Sequence, residues 1–184
     1  MLNNVSIEMK TYQKKVCLIG DFAVGKTSLI RRFVEGIFDE KYLTTVGVVV
    51  SRKSLTLGDY SIKLLIWDLA GGRDFAHPGY LAGVAGALLV CDLTRTSTLA
   101  VLRAYAQQVR DVNPQATILL LGNKADLADE RAITDEQLQA ISAELNASVL
   151  LTSAKSGENV EAAFLLMARQ LVAPELHPDS VQKP

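Results

Sequence analysis

Eight residues starting at Gly20, Gly-Asp-Phe-Ala-Val-Gly-Lys-Thr, have the spacing G-x-x-x-x-G-K-[ST] and follow the apolar run 16–19. A loop between a strand and a helix can turn successive backbone N–H groups inward, and the helix N-terminus adds partial positive charge, so the concavity suits a polyphosphate. Asp21, Phe22, Ala23, Val24, Gly25 and Ser28 belong to that cradle. Lys26 would reach the β- and γ-phosphates, and the Thr27 hydroxyl would ligate a Mg²⁺ bridging them.

Three further segments carry matching chemistry. Asp68 closes the apolar run 64–67 and is followed by glycines; its carboxylate would make a second contact to the Mg²⁺, and the Gly71 N–H would reach the γ-phosphate. Asn123, Lys124 and Asp126 follow the leucine run 119–121. An aspartate there accepts two hydrogen bonds from the N1–H and exocyclic amine of guanine, a donor pair that adenine lacks. Such a site leaves buried groups unpaired with the wrong base, so discrimination can reach ~10⁴. Ser153, Ala154 and Lys155 add a backbone N–H for the base carbonyl and a lysine stem beside the ring. An ATPase or small-molecule kinase would need a different base site.

The elements that must position these residues alternate. Residues 15–19, 87–93, 117–121 and 149–151 read as short strands, the middle two apolar on both faces like strands buried in a parallel sheet. Residues 46–57 and 60–69 form one antiparallel pair about the hairpin signal Gly58-Asp59. Helical spacing runs from Lys26 to a stop at Gly36, through Leu99, Leu102, Ala106, Val109 and Val112 to a stop before Pro114, from Thr134 with a capping box to Gln137, and over residues 158–172. Residues 37–45 and the small-residue stretch through Pro78 and Gly79 read as loops. Alternation of this kind implies an α/β fold with right-handed crossovers and a mostly parallel sheet between helices, its ligand at the carboxyl ends of the strands. All four chemical segments fall just after strands, so they converge on one rim.

The totals fit a single soluble domain. The chain has 184 residues, 49% of them apolar, and a net charge of −1, which gives no field to recruit nucleic acid or an anionic membrane. Cys17 and Cys91 lie inside apolar runs and read as buried, reduced thiols, which fits a reducing compartment, so a cytoplasmic location is expected. The final eight residues hold no cysteine for prenylation and Met1-Leu2 rules out N-myristoylation, so no intrinsic membrane anchor is expected. Residues 1–13 read as an N-terminal arm, 14–173 as the nucleotide-binding domain and 174–184 as a flexible tail.

Over roughly residues 14–172 the chain resembles a small GTPase of the Ras superfamily, nearest the Rab branch. The run Trp67-Asp68-x-Ala70-Gly71 with Phe75 beyond it, and residues 42–47, Tyr-Leu-Thr-Thr-Val-Gly, are similar to the Rab versions of the two switches. The resemblance implies a P-loop NTPase fold, with a six-stranded mostly parallel sheet, one antiparallel edge strand and about five helices. It implies a monomeric switch that binds GTP or GDP with Mg²⁺, read by effectors and served by an exchange factor and a GTPase-activating protein. It adds Thr45 as a switch threonine that binds Mg²⁺ and the γ-phosphate, Phe38 as the aromatic edge beside the guanine, and Tyr42 to the nucleotide contacts. Hydrolysis would then rest on Lys26, Thr45, Gly71 and the position after it.

That last position departs from the pattern. Gly72 stands where family members commonly carry the glutamine that orients the attacking water, and Arg73 follows in place of glutamate. Phe22 replaces the usual small residue of the phosphate loop and should crowd the space of an inserted arginine finger. Switch II also reads about two residues short. These departures predict nucleotide binding with slow hydrolysis, or a binding module with little turnover, unless Arg73 or His77 supplies the missing group.

Overall fold

The computed structural model describes residues 9–39, 45–72 and 78–176. In chain order these form β1 (Lys10–Gly20), α1 (Lys26–Glu35), β2 (Val48–Leu57), β3 (Tyr60–Leu69), α2 (Pro78–Leu81), β4 (Gly86–Asp92), α3 (Ser97–Ala100), α4 (Leu102–Val112), β5 (Thr117–Asn123), α5 (Asp135–Glu144), β6 (Ser148–Thr152) and α6 (Val160–Leu176). The six strands make one sheet in the order β2-β3-β1-β4-β5-β6, with β2 antiparallel to β3 and every other pairing parallel. Since α3 and α4 are separated by Val101 alone, the α-helical units number five among the described residues, as the resemblance implies, with one 3-10 turn at Ala128–Glu130 besides.

Period-two alternation sorts the strand side chains onto two cores. Val16 and Leu18 of β1, Leu88 and Val90 of β4, and Leu119 and Leu121 of β5 face the core that α1 and α6 cover. There Phe33 and Phe164 stack with centroids 4.0 Å apart. Their neighbours Cys17, Ile19, Leu89, Cys91 and Leu120 face the opposite core, covered by α4 and α5 through Leu102, Val109, Leu138 and Ile141. Burial pushes both thiols up to about 12, which keeps them protonated and inert.

Local signals behave as the residue types require. Thr134 caps α5 with a complete capping box to Gln137, and α4 ends at the extended Asn113 ahead of Pro114. Several boundaries shift by one or two residues, and three differences from the sequence expectation are larger. β1 begins at Lys10 rather than Lys15, because the polar residues 10–14 pair along β3 and bury Tyr12 against Tyr60; residues 10–13, read as arm, are strand. Pro78 and Gly79, read as loop, sit in the one-turn α2, where a proline at the first helical position forfeits no hydrogen bond. α6 continues through Pro174 to Leu176, so the first three residues read as tail are helical, and Lys14 of β1 pairs with Glu175 there.

Candidate functional site

The carboxyl end of β1 delivers Gly20 into a loop that ends where α1 begins. Ala23 holds φ +60° and Gly25 φ +97°, and a Cβ at Gly25 would lie 2.3 Å from Asn123 Nδ2, so only glycine lets the loop close against β5. Lys26 is buried, with Nζ donating to the carbonyls of Gly20 and Asp21 at 3.0 Å each. Burial pulls its pKa down to about 8, against the attraction of Asp68 and Asp21. The Asp21 carboxylate accepts from the Phe22 N–H at 2.7 Å. Val24 has its side chain in the core and can offer only backbone to a ligand, whereas the Phe22 ring stands outward, 48% exposed.

At the tip of β3, Asp68 Oδ2 accepts from the Thr27 hydroxyl at 2.6 Å and from the Thr45 hydroxyl at 3.3 Å, and the two hydroxyl oxygens are 2.7 Å apart. Asp68 Oδ1 is buried without a partner among the described residues. Burial raises the Asp68 pKa, offset in part by Thr27, Lys26 and Thr45. Two hydroxyls and a half-satisfied carboxylate form a hard oxygen donor set suited to Mg²⁺. Gly71 packs so closely that a Cβ would meet the Phe22 Cα at 2.7 Å; Gly72 faces open space but holds φ +85°.

The tips of β5 and β6 build the other half of the rim. Asn123 braces it: Nδ2 donates to the Val24 carbonyl at 2.8 Å, and Oδ1 accepts from the Ala154 N–H at 3.2 Å and the Thr152 hydroxyl at 3.3 Å. Ser153, fully buried, donates its hydroxyl to Asp126 Oδ1 at 2.6 Å and so fixes the carboxylate's direction. Lys124, at φ +70°, reaches Asp92 at 2.7 Å.

These segments enclose a cavity of about 550 Å³, the size of a cofactor or nucleotide site. Its wall includes Phe22, Ala23, Gly25, Lys26, Thr27, Ser28, Phe38, Thr45, Gly71, Asn123, Lys124, Asp126, Ala154 and Lys155. Asp21, Val24, Asp68, Gly72 and Ser153 stand outside that wall, as backbone, bracing or second-layer groups. Tyr42, Arg73, Phe75 and His77 lie outside the described residues.

Sequence reading passed over Arg31, Ile37, Asp39 and Leu127, which also line the cavity, and the buried Asp92 with its partners. Arg95 Nε donates to Asp92 Oδ2 at 2.9 Å and its NH2 group donates to the Phe22 carbonyl at 2.7 Å. The strand-tip rule itself was the signal for Asp92, which closes β4. Residues 15–173 match the model of the family described as Ras family.

Proposed function

Because this chain belongs to the Ras family of GTP-binding molecular switches, which hydrolyse GTP, we propose that it is a Rab-like member with a slow, atypical hydrolytic step. Unassisted turnover is at or below ~10⁻⁴ s⁻¹. The carrying observation is Gly72, which offers no side chain to orient water and keeps a left-handed backbone, beside an outward Phe22 at the mouth of the phosphate loop.

In this reading Lys26 and the backbone of residues 21–28 hold the phosphates, and Asp126, fixed by Ser153, accepts from the guanine edge between Phe38, Ala154 and the Lys155 stem. Thr27, Thr45 and Asp68 would hold Mg²⁺, which would neutralise phosphate charge. Water attacks the γ-phosphorus in line with the bridging oxygen; that P–O bond breaks, leaving GDP and inorganic phosphate. Thr45 and the Gly71 N–H report the γ-phosphate, so its loss releases the backbone at Thr45 and Gly71 from one arrangement. Effectors read that surface. No helix among the described residues is long and apolar enough to cross a membrane.

The same observation favours a second reading, a binding module that rests in one nucleotide state. Identifying the nucleotide retained through purification, followed by single-turnover hydrolysis of loaded GTP, tests both. Retained GDP with measurable slow hydrolysis supports the switch; retained GTP without phosphate release supports the module; preference for ATP overturns both.

A further inference from the structure

Arg95 lies in the loop after β4 and connects two features of the site that are separate in sequence. Its Nε donates to Asp92 Oδ2 at 2.9 Å, the same carboxylate oxygen that Lys124 Nζ approaches at 2.7 Å, and its NH2 group donates to the Phe22 carbonyl at 2.7 Å. Asp92 is fully buried, and its other oxygen is held by the Thr94 N–H at 2.9 Å and hydroxyl at 2.7 Å. The anchor for the guanidinium is therefore rigid. Its far end grips the phosphate loop from outside.

The peptide between Phe22 and Ala23 is trans, so the Phe22 C=O and the Ala23 N–H point in opposite directions. Holding the carbonyl outward turns the N–H toward the cavity, whose wall includes Ala23. Ala23 also sits at φ +60°, a conformation that a residue with a Cβ adopts only at a cost. We propose that Arg95 is a positioning residue of the phosphate loop: anchored on Asp92, it pins the Phe22 carbonyl and thereby aims the Ala23 N–H at the polyphosphate.

The proposal rests on the reading of this cavity as a guanine-nucleotide site, which binding of GDP to the unaltered protein tests separately. The experiment compares Arg95→Met, which keeps the stem and removes every donor, and Arg95→Ala with the unaltered full chain. Fluorescent GDP dissociation, ³¹P NMR of bound GDP and displacement by ADP are recorded. Expected are GDP release faster by about tenfold, the worth of one charge-assisted hydrogen bond, a displaced β-phosphate resonance, and unchanged preference for GDP over ADP. Release and ³¹P shifts equal to those of the unaltered protein overturn it. So does a loss of GDP-over-ADP preference in step with the faster release, which marks general loosening instead of a misdirected N–H.

Discussion

Asp68 Oδ2 takes the Thr27 hydroxyl at 2.6 Å while its twin oxygen, Oδ1, is buried with no partner among the described residues. A buried carboxylate left half satisfied is costly unless a cation completes it. GDP release from the unaltered protein should therefore accelerate on chelation of Mg²⁺. In Asp68→Ala, release should already be faster by roughly tenfold to a hundredfold, the range for a lost charged contact, and insensitive to EDTA. Persistent EDTA sensitivity in the variant would place the cation elsewhere.

Ser153 stands behind the cavity wall yet directs Asp126 through a 2.6 Å hydrogen bond in a fully buried setting. Ser153→Ala should weaken GDP affinity by about tenfold and narrow the margin over ADP, because the freed carboxylate no longer meets both guanine donors at once. Isothermal titration with each nucleotide measures it. Equal losses for both bases would contradict the assignment.

Gly72 holds φ +85° with open space around its missing Cβ. The backbone, not crowding, opposes a side chain there. Gly72→Gln should lose ~1–2 kcal/mol of stability, read as a fall of a few degrees in Tm. It should gain less than about tenfold in single-turnover hydrolysis, ~1.4 kcal/mol of barrier. A larger gain would show that the position alone limits the rate.

Asp92 links acidity to stability. Burial by itself raises its pKa, but hydrogen bonds from Lys124, Thr94 and Arg95 outweigh burial and hold it below the ordinary 3.8. A depressed carboxylate stabilises the fold above its unfolded pKa, and that contribution fades as pH drops through the folded value. Denaturant unfolding of Asp92→Asn should show a deficit of roughly 1–3 kcal/mol at pH 7, shrinking once the pH is taken below 3.8. A deficit that stays constant into acid would mean the carboxylate's charge is not what stabilises.

The phosphate loop and the base-side tips were legible because chemistry and periodicity coincide there: Gly20, Asp68, Asn123 and Ser153 each come at or just after the end of an apolar strand. Asp92 obeys the same rule at β4, but a lone aspartate followed by threonines matches no motif, and Arg95 reads as an ordinary surface cation until the fold brings it to Phe22. The early start of β1 was hidden because residues 10–14 are mostly polar, their strand character coming mainly from pairing with β3, with Tyr12 alone among them buried. Pro174 reads as a helix stop, yet α6 passes through it, packed on the sheet over the turns before it and joined to Lys14 after it.

The Lys14–Glu175 pair fixes where handles can be attached. Lys14 precedes Gly20 by six strand positions, about 20 Å at the rise of a β-strand, so the end of α6 is moored at the opposite pole from the nucleotide rim. A fluorophore or surface linker joined after Leu176 would present the rim to the bulk, and kinetics recorded on such an immobilised sample should match those in free solution.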